Sequence, residues 1–316
     1  MRADARIGVV GATGAVGTVT LGLLAERGYT NVRAFASERS SGTQLPFRGG
    51  ELTVEHATAE ALENAELDLA LFSVGSSASR ALVPHAVLGG AACIDKSTAY
   101  RLEPGVPLVV PEVNADRAFE HDGIVANPNC CTIPLTCVLK PLEEAARLRR
   151  VRVATYQSVS GAGVESVERL AGERPDEHDL RADWDFDGVE YEEEEKLRLE
   201  TRKILELPEL PISPTCVRVP VMVGHAEAIW VETESRLSED DARSLLSSAP
   251  GLRVVEGFPS PGASAETEDV LVGRIRQDPT EENGLVLFLA CDNLVKGAAL
   301  NAIQIAEIVI GARALI

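Results

Sequence analysis

Aromatic residues are scarce in this 316-residue chain (4%), methionine occurs twice and lysine five times. No apolar run approaches the roughly 18 residues that a membrane-spanning helix needs, so none is expected. Six cysteines (Cys93, Cys130, Cys131, Cys137, Cys216 and Cys291) make no C-x-x-C pair and lie mostly in apolar runs. That excludes a recognisable zinc site or disulfide framework, and no metal is expected. Positive charge is also short: 30 Lys and Arg against 49 Asp and Glu give a formal net charge of −19. Nucleic-acid phosphates are held by clustered Lys and Arg, so no DNA or RNA partner is expected. The first residues pass straight into an apolar strand without a signal-type region, and a reducing, cytoplasmic compartment is the expectation.

What is present is an ordinary globule, 45% hydrophobic with mean hydropathy near zero. A domain size of roughly 150 residues makes this length two domains. Asn127-Pro-Asn-Cys130-Cys131-Thr-Ile-Pro134 is a short polar turn that places thiols just ahead of a helix-like run. A cysteine there feels the positive end of a helix dipole, which favours the nucleophilic thiolate. Two adjacent cysteines can equally be small apolar fillers, since free cysteine is among the most buried residue types.

The N-terminal part follows a nucleotide-binding pattern. An apolar run, Arg6 to Val10, leads into Gly11-Ala-Thr-Gly-Ala-Val-Gly17 and a helix-like stretch from Thr18 to Arg27. Strand, glycine turn and helix in that order let a backbone approach a pyrophosphate at a helix N-terminus. A second strand, Val32 to Ala36, ends at Ser37-Glu-Arg39-Ser40, where hydroxyls and a guanidinium could receive a 2′-phosphate, so NADP is preferred to NAD. Leu67–Ser77 reads as a buried strand opening into a small-residue loop, and further strands are expected at Ala92–Asp95 and Val106–Val110, alternating with helices in a parallel, doubly wound sheet. Arg101 follows one of them and could bind an anion.

In the second half, Val151 to Ser160 alternates like a strand and ends in the permissive loop Ser160-Gly161-Ala-Gly163. Gln157 on it can donate and accept hydrogen bonds. Residues 173–195 are acidic and are expected to form a solvated, mobile connection, before a helical run from Glu192 to Leu205. Arg218 and His225, in or between strands, could face one cleft, the first gripping a carboxylate and the second moving protons near neutral pH. Leu285–Ala290 is a final apolar run, and small and aliphatic residues after Asp292 indicate a terminal helix.

Taken in order, Gly11 to Gly17, Asn127-Pro-Asn-Cys130, Tyr156-Gln-Ser-Val-Ser-Gly-Ala-Gly163, Glu200-Thr-Arg-Lys-Ile204, Arg218-Val-Pro-Val-Met-Val-Gly-His225 and Asp292-Asn-Leu-Val-Lys-Gly-Ala298 closely resemble aspartate-semialdehyde dehydrogenase. The resemblance implies an α/β fold with a Rossmann-type NADP-binding domain over 1–126, completed by a C-terminal helix within 293–316. A catalytic and dimerisation domain over 127–292 follows, and the protein would be a homodimer. It implies reversible reductive dephosphorylation of 4-phospho-L-aspartate to the 4-semialdehyde, with release of inorganic phosphate. The pathways implied are those to lysine and diaminopimelate, threonine, methionine and isoleucine.

By the same resemblance Cys130 is the nucleophile, Gln157 orients the acyl group and His225 is the acid/base. Arg218 would bind the α-carboxylate and Glu193 the amino group, with Glu194 left as an alternative. Arg101, Asn129 and Lys196 would hold phosphate. Gly11, Thr13, Gly14, Ala15, Val16, Ser37, Arg39, Ser40, Ser160, Gly161 and Asn293 would contact NADP. The nearest competing activity is that of N-acetyl-glutamyl-phosphate reductase, whose acylated substrate needs no carboxylate partner for a bare amino group. A non-catalytic homologue is the alternative from another class. Residues 173–190 depart from the family pattern, being shorter and lacking its apolar, proline-containing part.

Overall fold

The computed structural model describes residues 4–172 and 180–313. They form two compact units, Met1–Pro128 with Ala298–Ile316, and Asn129–Gly297.

In the first unit, β1 (Ile7–Val10) is followed by α1 (Ala15–Glu26), β2 (Val32–Ala36), and the antiparallel hairpin β3 (Gln44–Phe47) and β4 (Gly50–His56). After α2 (Ala59–Glu63) come β5 (Leu69–Phe72), α3 (Ser76–Leu88), β6 (Ala92–Asp95), α4 (Pro111–Asn114) and β7 (Ile124–Ala126). The strand order is β3-β4-β2-β1-β5-β6-β7, parallel except at β3. β1, β5 and β6 are buried along their whole length, which is why they read as unbroken apolar runs rather than alternating ones. Order reverses between β1 and β5, and a crevice at the carboxyl ends of strands at such a reversal is where open α/β sheets bind ligands.

The stretch Val106–Val110 does not form the expected strand; it contributes one isolated bridge, Leu108 to Ala126. Pro104, Pro107 and Pro111 withhold backbone donors and fix φ, so the run cannot join a ladder despite its apolar content. α1 starts three residues before the expected position, taking Ala15 to Gly17 of the glycine turn into its first turn.

The second unit opens with α5 (Thr132–Ala146) and continues with β8 (Leu148–Gln157), α6 (Val164–Ala171), α7 (Glu192–Leu205), β9 (Ile212–Arg218), β10 (His225–Thr233), α8 (Glu239–Ser248), β11 (Leu252–Val254), α9 (Pro261–Ser264), β12 (Val270–Gln277) and β13 (Gly284–Cys291). The sheet order is β11-β12-β13-β10-β8-β9. Alternation puts Val151, Val153, Thr155 and Gln157 of β8 on the same buried face as His225, Glu227, Ile229 and Val231 of β10, the face that α5 covers. Tyr156, Trp230 and Phe288 point to the other face, which stays partly open.

Of the acidic stretch expected as a solvated connection, residues 173–179 lie outside the described residues. The remainder is not a free linker: Arg181 pairs with Arg218 through both backbone N–H groups (3.1 and 2.7 Å), and Phe186 bridges to Tyr191, the N-cap of α7. α10 (Leu300–Arg313) belongs to the first unit, where it packs on α1, β5 and β6. Asn301 at its start donates to the Val109 carbonyl (3.0 Å) and to Asn127 Oδ1 (2.8 Å). Among the described residues no helix is long and apolar enough to cross a membrane.

Lys96, at the carboxyl end of β6, carries a consequence for stability. Its ammonium donates to Thr20 Oγ1 (2.9 Å) and Ser73 Oγ (2.7 Å), neutral partners that do not offset desolvation, and burial pulls its pKa down to about 7. In the unfolded chain it would titrate near ~10.4, so between these values the unfolded state binds more protons and stability rises with pH, on the order of 1 kcal/mol per unit. Below pH ~7 both states are charged and the penalty is felt in full. Urea unfolding of wild type and Lys96→Met at pH 7 and pH 9 should therefore show the variant gaining at pH 7 and that relative gain shrinking by roughly half at pH 9. A difference that does not vary with pH would contradict the assignment.

Candidate active site

The glycine turn of the first unit is shaped by two close approaches. A Cβ on Gly11, whose φ is +86°, would lie 2.3 Å from the Ser73 carbonyl oxygen, and one on Gly17 would lie 2.1 Å from the Gly11 oxygen. Gly14, at the N-cap of α1, meets nothing closer than 3.4 Å, so its bareness serves the open side of the turn instead. Thr13 Oγ1 lies 3.4 Å from Ser40 Oγ, which joins the turn to the end of β2, where Ser37 and Arg39 are exposed on a single 3-10 turn. A helix N-terminus with exposed backbone, faced by hydroxyls and a guanidinium, has the donor chemistry of a pyrophosphate and 2′-phosphate site.

In the second unit the residues come together at one end of the sheet. Gln157 ends β8 and is in register with Arg218, which ends β9; His225 begins β10 opposite Cys291, one residue before Ala226 pairs with Tyr156. Three strand termini far apart in sequence thus share one edge. A Cβ built on Gly161 would lie 3.0 Å from Arg218 Nη1 and 3.2 Å from His225 Nε2, so these two side chains meet where only glycine leaves room.

Cys130 is half-buried, immediately before the Cys131 N-cap of α5. The reactive atoms of Cys130, Cys131 and His225 all lie within 4.8 Å of one another. The Cys131 S–H, hydrogen-bonded to the Cys130 sulfur, is the largest influence holding the Cys130 thiol well below its ordinary range; burial opposes it, and His225 and Arg218 reinforce it. Cys131 is driven the other way, chiefly by its own burial. A Cβ on Gly297 would come 3.2 Å from Cys130 Cβ, which explains the glycine there.

His225 is fully buried, and its Nδ1 accepts the Ser158 backbone N–H at 3.0 Å. An accepting Nδ1 places the proton of the neutral ring on Nε2, the nitrogen on the Gly161 side, whose hydrogen-bond capacity is otherwise unused. Arg218 Nη1 donates to the Ser158 carbonyl (3.0 Å) and to Gln157 Oε1 (3.4 Å). Gln157 Nε2 donates in turn to Glu193 Oε1 (3.2 Å), which also accepts Asn129 Nδ2 at 2.9 Å. One amide therefore links a buried cation to a buried carboxyl. Burial, followed by negative charge at Cys130, raises the Glu193 carboxyl above its usual range.

Glu194, the alternative to Glu193, spends its oxygens on the backbone N–H groups of Tyr191 (2.8 Å) and Cys216 (3.0 Å). It caps α7 and ties it to β9. Asn129 Oδ1 accepts the Cys131 N–H (2.8 Å), and Lys196 pairs with Glu192 at 2.7 Å and Glu193 at 3.9 Å. Arg101 lies in the first unit, buried, donating to the carbonyls of Asn127 (3.0 Å) and Lys96 (2.7 Å). Asn293 is also buried: its Oδ1 accepts from Ser158 Oγ, Ser160 Oγ and Gly224 N, and its Nδ2 donates to Ser160 Oγ at 2.9 Å.

Four residues escaped the sequence reading. Glu200 accepts the Asn129 N–H at 2.7 Å and so anchors the turn before Cys130. Fully buried Glu227 lies beside Cys131, with a carboxyl that burial pushes well above the ordinary range. Glu200 sat inside a quoted motif and Glu227 two residues after His225 on the same strand face, so helical and strand periodicity were the available signals. Asp183 and Trp184, in the acidic stretch, had none: Asp183 pairs with Arg218 at 3.1 Å, and Trp184 stacks on the guanidinium with 4.7 Å between centres.

A doubly wound nucleotide-binding unit joined to a unit with an activated, partnered thiol is the plan of the semialdehyde dehydrogenases. Two family models match in that order: "Semialdehyde dehydrogenase, NAD binding domain" over residues 6–121, and "Semialdehyde dehydrogenase, dimerisation domain" over 139–187 and 185–296. The chain is 46% identical to the aspartate-semialdehyde dehydrogenase of Mycolicibacterium smegmatis, over 96% of this chain and 98% of that one. The crystal structure of aspartate semialdehyde dehydrogenase II complexed with ASA, from Vibrio cholerae, superposes with a TM-score of 0.93 at 35% identity, covering 98% of each chain. The Candida albicans aspartate semialdehyde dehydrogenase with NADP does so with a TM-score of 0.81 at 26% identity, covering 99% of this chain and 100% of that one. The chain belongs to the aspartate-semialdehyde dehydrogenase family.

Proposed function

We propose that the protein catalyses the reversible, NADP-dependent reductive dephosphorylation of 4-phospho-L-aspartate to L-aspartate 4-semialdehyde through a thioester on Cys130. The observation that carries this reading is the Gln157 amide, bonded on one side to Arg218 and on the other to Glu193. A cation for a carboxylate and a carboxyl for an ammonium, held on either side of an amide near an activated thiol, suit an α-amino acid with a reactive acyl end.

The Cys130 thiolate attacks the acyl carbon, the carbon–oxygen bond to phosphate breaks, and a thioester forms. Gln157 orients the acyl oxygen. The Nε2–H of His225 donates first to the thiolate and then to the oxyanion that develops on the acyl oxygen, the charge-stabilising role its tautomer permits. This refines the acid/base expectation: donation from a ring whose Nδ1 accepts a backbone N–H requires no proton to leave it. When bound, NADPH supplies the hydride that reduces the acyl carbon. The resulting alkoxide collapses to the aldehyde, and Cys130 departs as the thiolate it began as, so no proton need reach the sulfur.

Thr13 to Val16 with Gly11 would receive the pyrophosphate, and Ser37, Arg39 and Ser40 the 2′-phosphate. Ser160, Gly161 and Asn293 would meet the nicotinamide end, with Asn293 acting mainly by fixing the Ser160 hydroxyl. Phosphate would be held by Arg101, Asn129 and Lys196. The open sheet face bearing Tyr156, Trp230 and Phe288 is assigned as the contact of a homodimer, consistent with the dimerisation family model. Sedimentation equilibrium should give twice the 33.7 kDa chain mass, and Trp230→Arg should shift it toward one chain mass. Six free thiols fit a reducing, cytoplasmic setting.

The test is phosphate-dependent reduction of NADP with L-aspartate 4-semialdehyde, run beside NAD and beside N-acetylglutamate 5-semialdehyde. Turnover is expected with the first aldehyde, with phosphate and with NADP in preference to NAD. Activity confined to the acetylated aldehyde would overturn the substrate, and equal use of NAD would overturn the role of Arg39.

A further inference from the structure

We propose that Asp183 is an internal competitor for the substrate: in the free enzyme its carboxylate occupies the edge of Arg218 that the substrate's α-carboxylate must take. The inference rests on Arg218 being the carboxylate grip, as proposed above, and is argued from a count of donors. A guanidinium offers five N–H groups in a planar fork. The Nη1 pair of Arg218 is directed at Ser158 O and Gln157 Oε1, at 3.0 and 3.4 Å. Its Nε and Nη2 face the two oxygens of Asp183, at 3.4 and 3.1 Å, the side-on bidentate arrangement an incoming carboxylate would adopt. Trp184 covers one face of the same group. No second carboxylate can pair bidentately with Arg218 until Asp183 leaves.

Asp183 is not needed to aim Arg218. The arginine sits at a strand end in register with Gln157, with its backbone bonded to Arg181 and its Nη1 tied twice, and its side chain is 5% exposed. Asp183, 29% exposed, is the outer member of the pair. Asp183 also lies 3.8 Å from the Arg181 guanidinium and faces solvent on its outer side, so leaving Arg218 does not strand its charge, and a substrate that also offers an ammonium to Glu193 can displace it. The cost appears as weaker substrate binding, without effect on the chemical step.

L-2-Aminobutyrate keeps the α-carboxylate and α-amino group and has no aldehyde, so it reads binding alone. Calorimetric titration into wild type, Asp183→Ala and Asp183→Asn should give affinities about two- to five-fold tighter in both variants. KM for aspartate semialdehyde should fall by the same factor with kcat unchanged. Unchanged or weaker binding in both variants, or no binding to any of the three proteins, would overturn the proposal; weaker binding would make Asp183 a positioning residue for Arg218. Tighter aminobutyrate binding with no turnover of the semialdehyde would leave the Asp183 assignment standing and remove the proposed reaction.

Discussion

Replacing Cys130 with alanine should abolish phosphate-dependent NADP reduction, while Cys131→Ala should remain active. The asymmetry follows from their opposite environments: the hydrogen bond from Cys131 lowers the Cys130 thiol, whereas burial raises that of Cys131. A covalent mechanism has no bypass for its nucleophile, so the loss in the first variant should reach the assay background. The second variant should carry a quieter signature. Without that S–H donor the Cys130 thiol should titrate higher than in wild type, because the largest influence lowering it has been removed. The pH dependence of inactivation by iodoacetamide reads this directly, with the midpoint moving upward in Cys131→Ala. If the loss of Cys131 is the one that kills activity, the nucleophile has been misassigned.

The second large effect is expected from His225→Ala. Its Nε2–H is positioned for the sulfur and for the oxygen that becomes charged, and removing one donor of that kind costs roughly 10²- to 10³-fold in kcat. KM should change little, because the α-carboxylate and amino contacts belong to Arg218 and Glu193. Iodoacetamide inactivation at neutral pH should also slow, since the hydrogen bond by which the imidazole helps lower the Cys130 thiol goes with the ring. A variant that lost substrate affinity but kept kcat would mean that His225 serves binding and not charge stabilisation.

Both predictions concern side chains that the primary structure already singled out. β2 and β6 run over the expected residues, as does α7 from Glu192 to Leu205. Buried parallel strands advertise themselves as unbroken apolar runs, and four glutamates followed by basic residues suit the two ends of a helix dipole. Where local reading failed, a competing rule had won. Prolines silenced the Val106–Val110 run. The acidic stretch before α7 looked solvated, yet part of it folds back on β9, because its pairing is set by residues far along the chain.

By itself, the order of residues determined the nucleotide-binding turn, the thiol ahead of a helix, the acidic balance of charge, and the resemblance that joined the motifs into one family. These are local or compositional properties, readable wherever a few neighbouring residues dictate backbone geometry. Only the tertiary structure decided which nitrogen of His225 faces the site, that Glu193 turns toward Gln157 while Glu194 caps its helix, that Glu200 and Glu227 flank the cysteines, and that Asp183 sits on Arg218. Each depends on hydrogen bonds or burial between residues separated by whole strands, and no periodicity in the chain encodes such a distance.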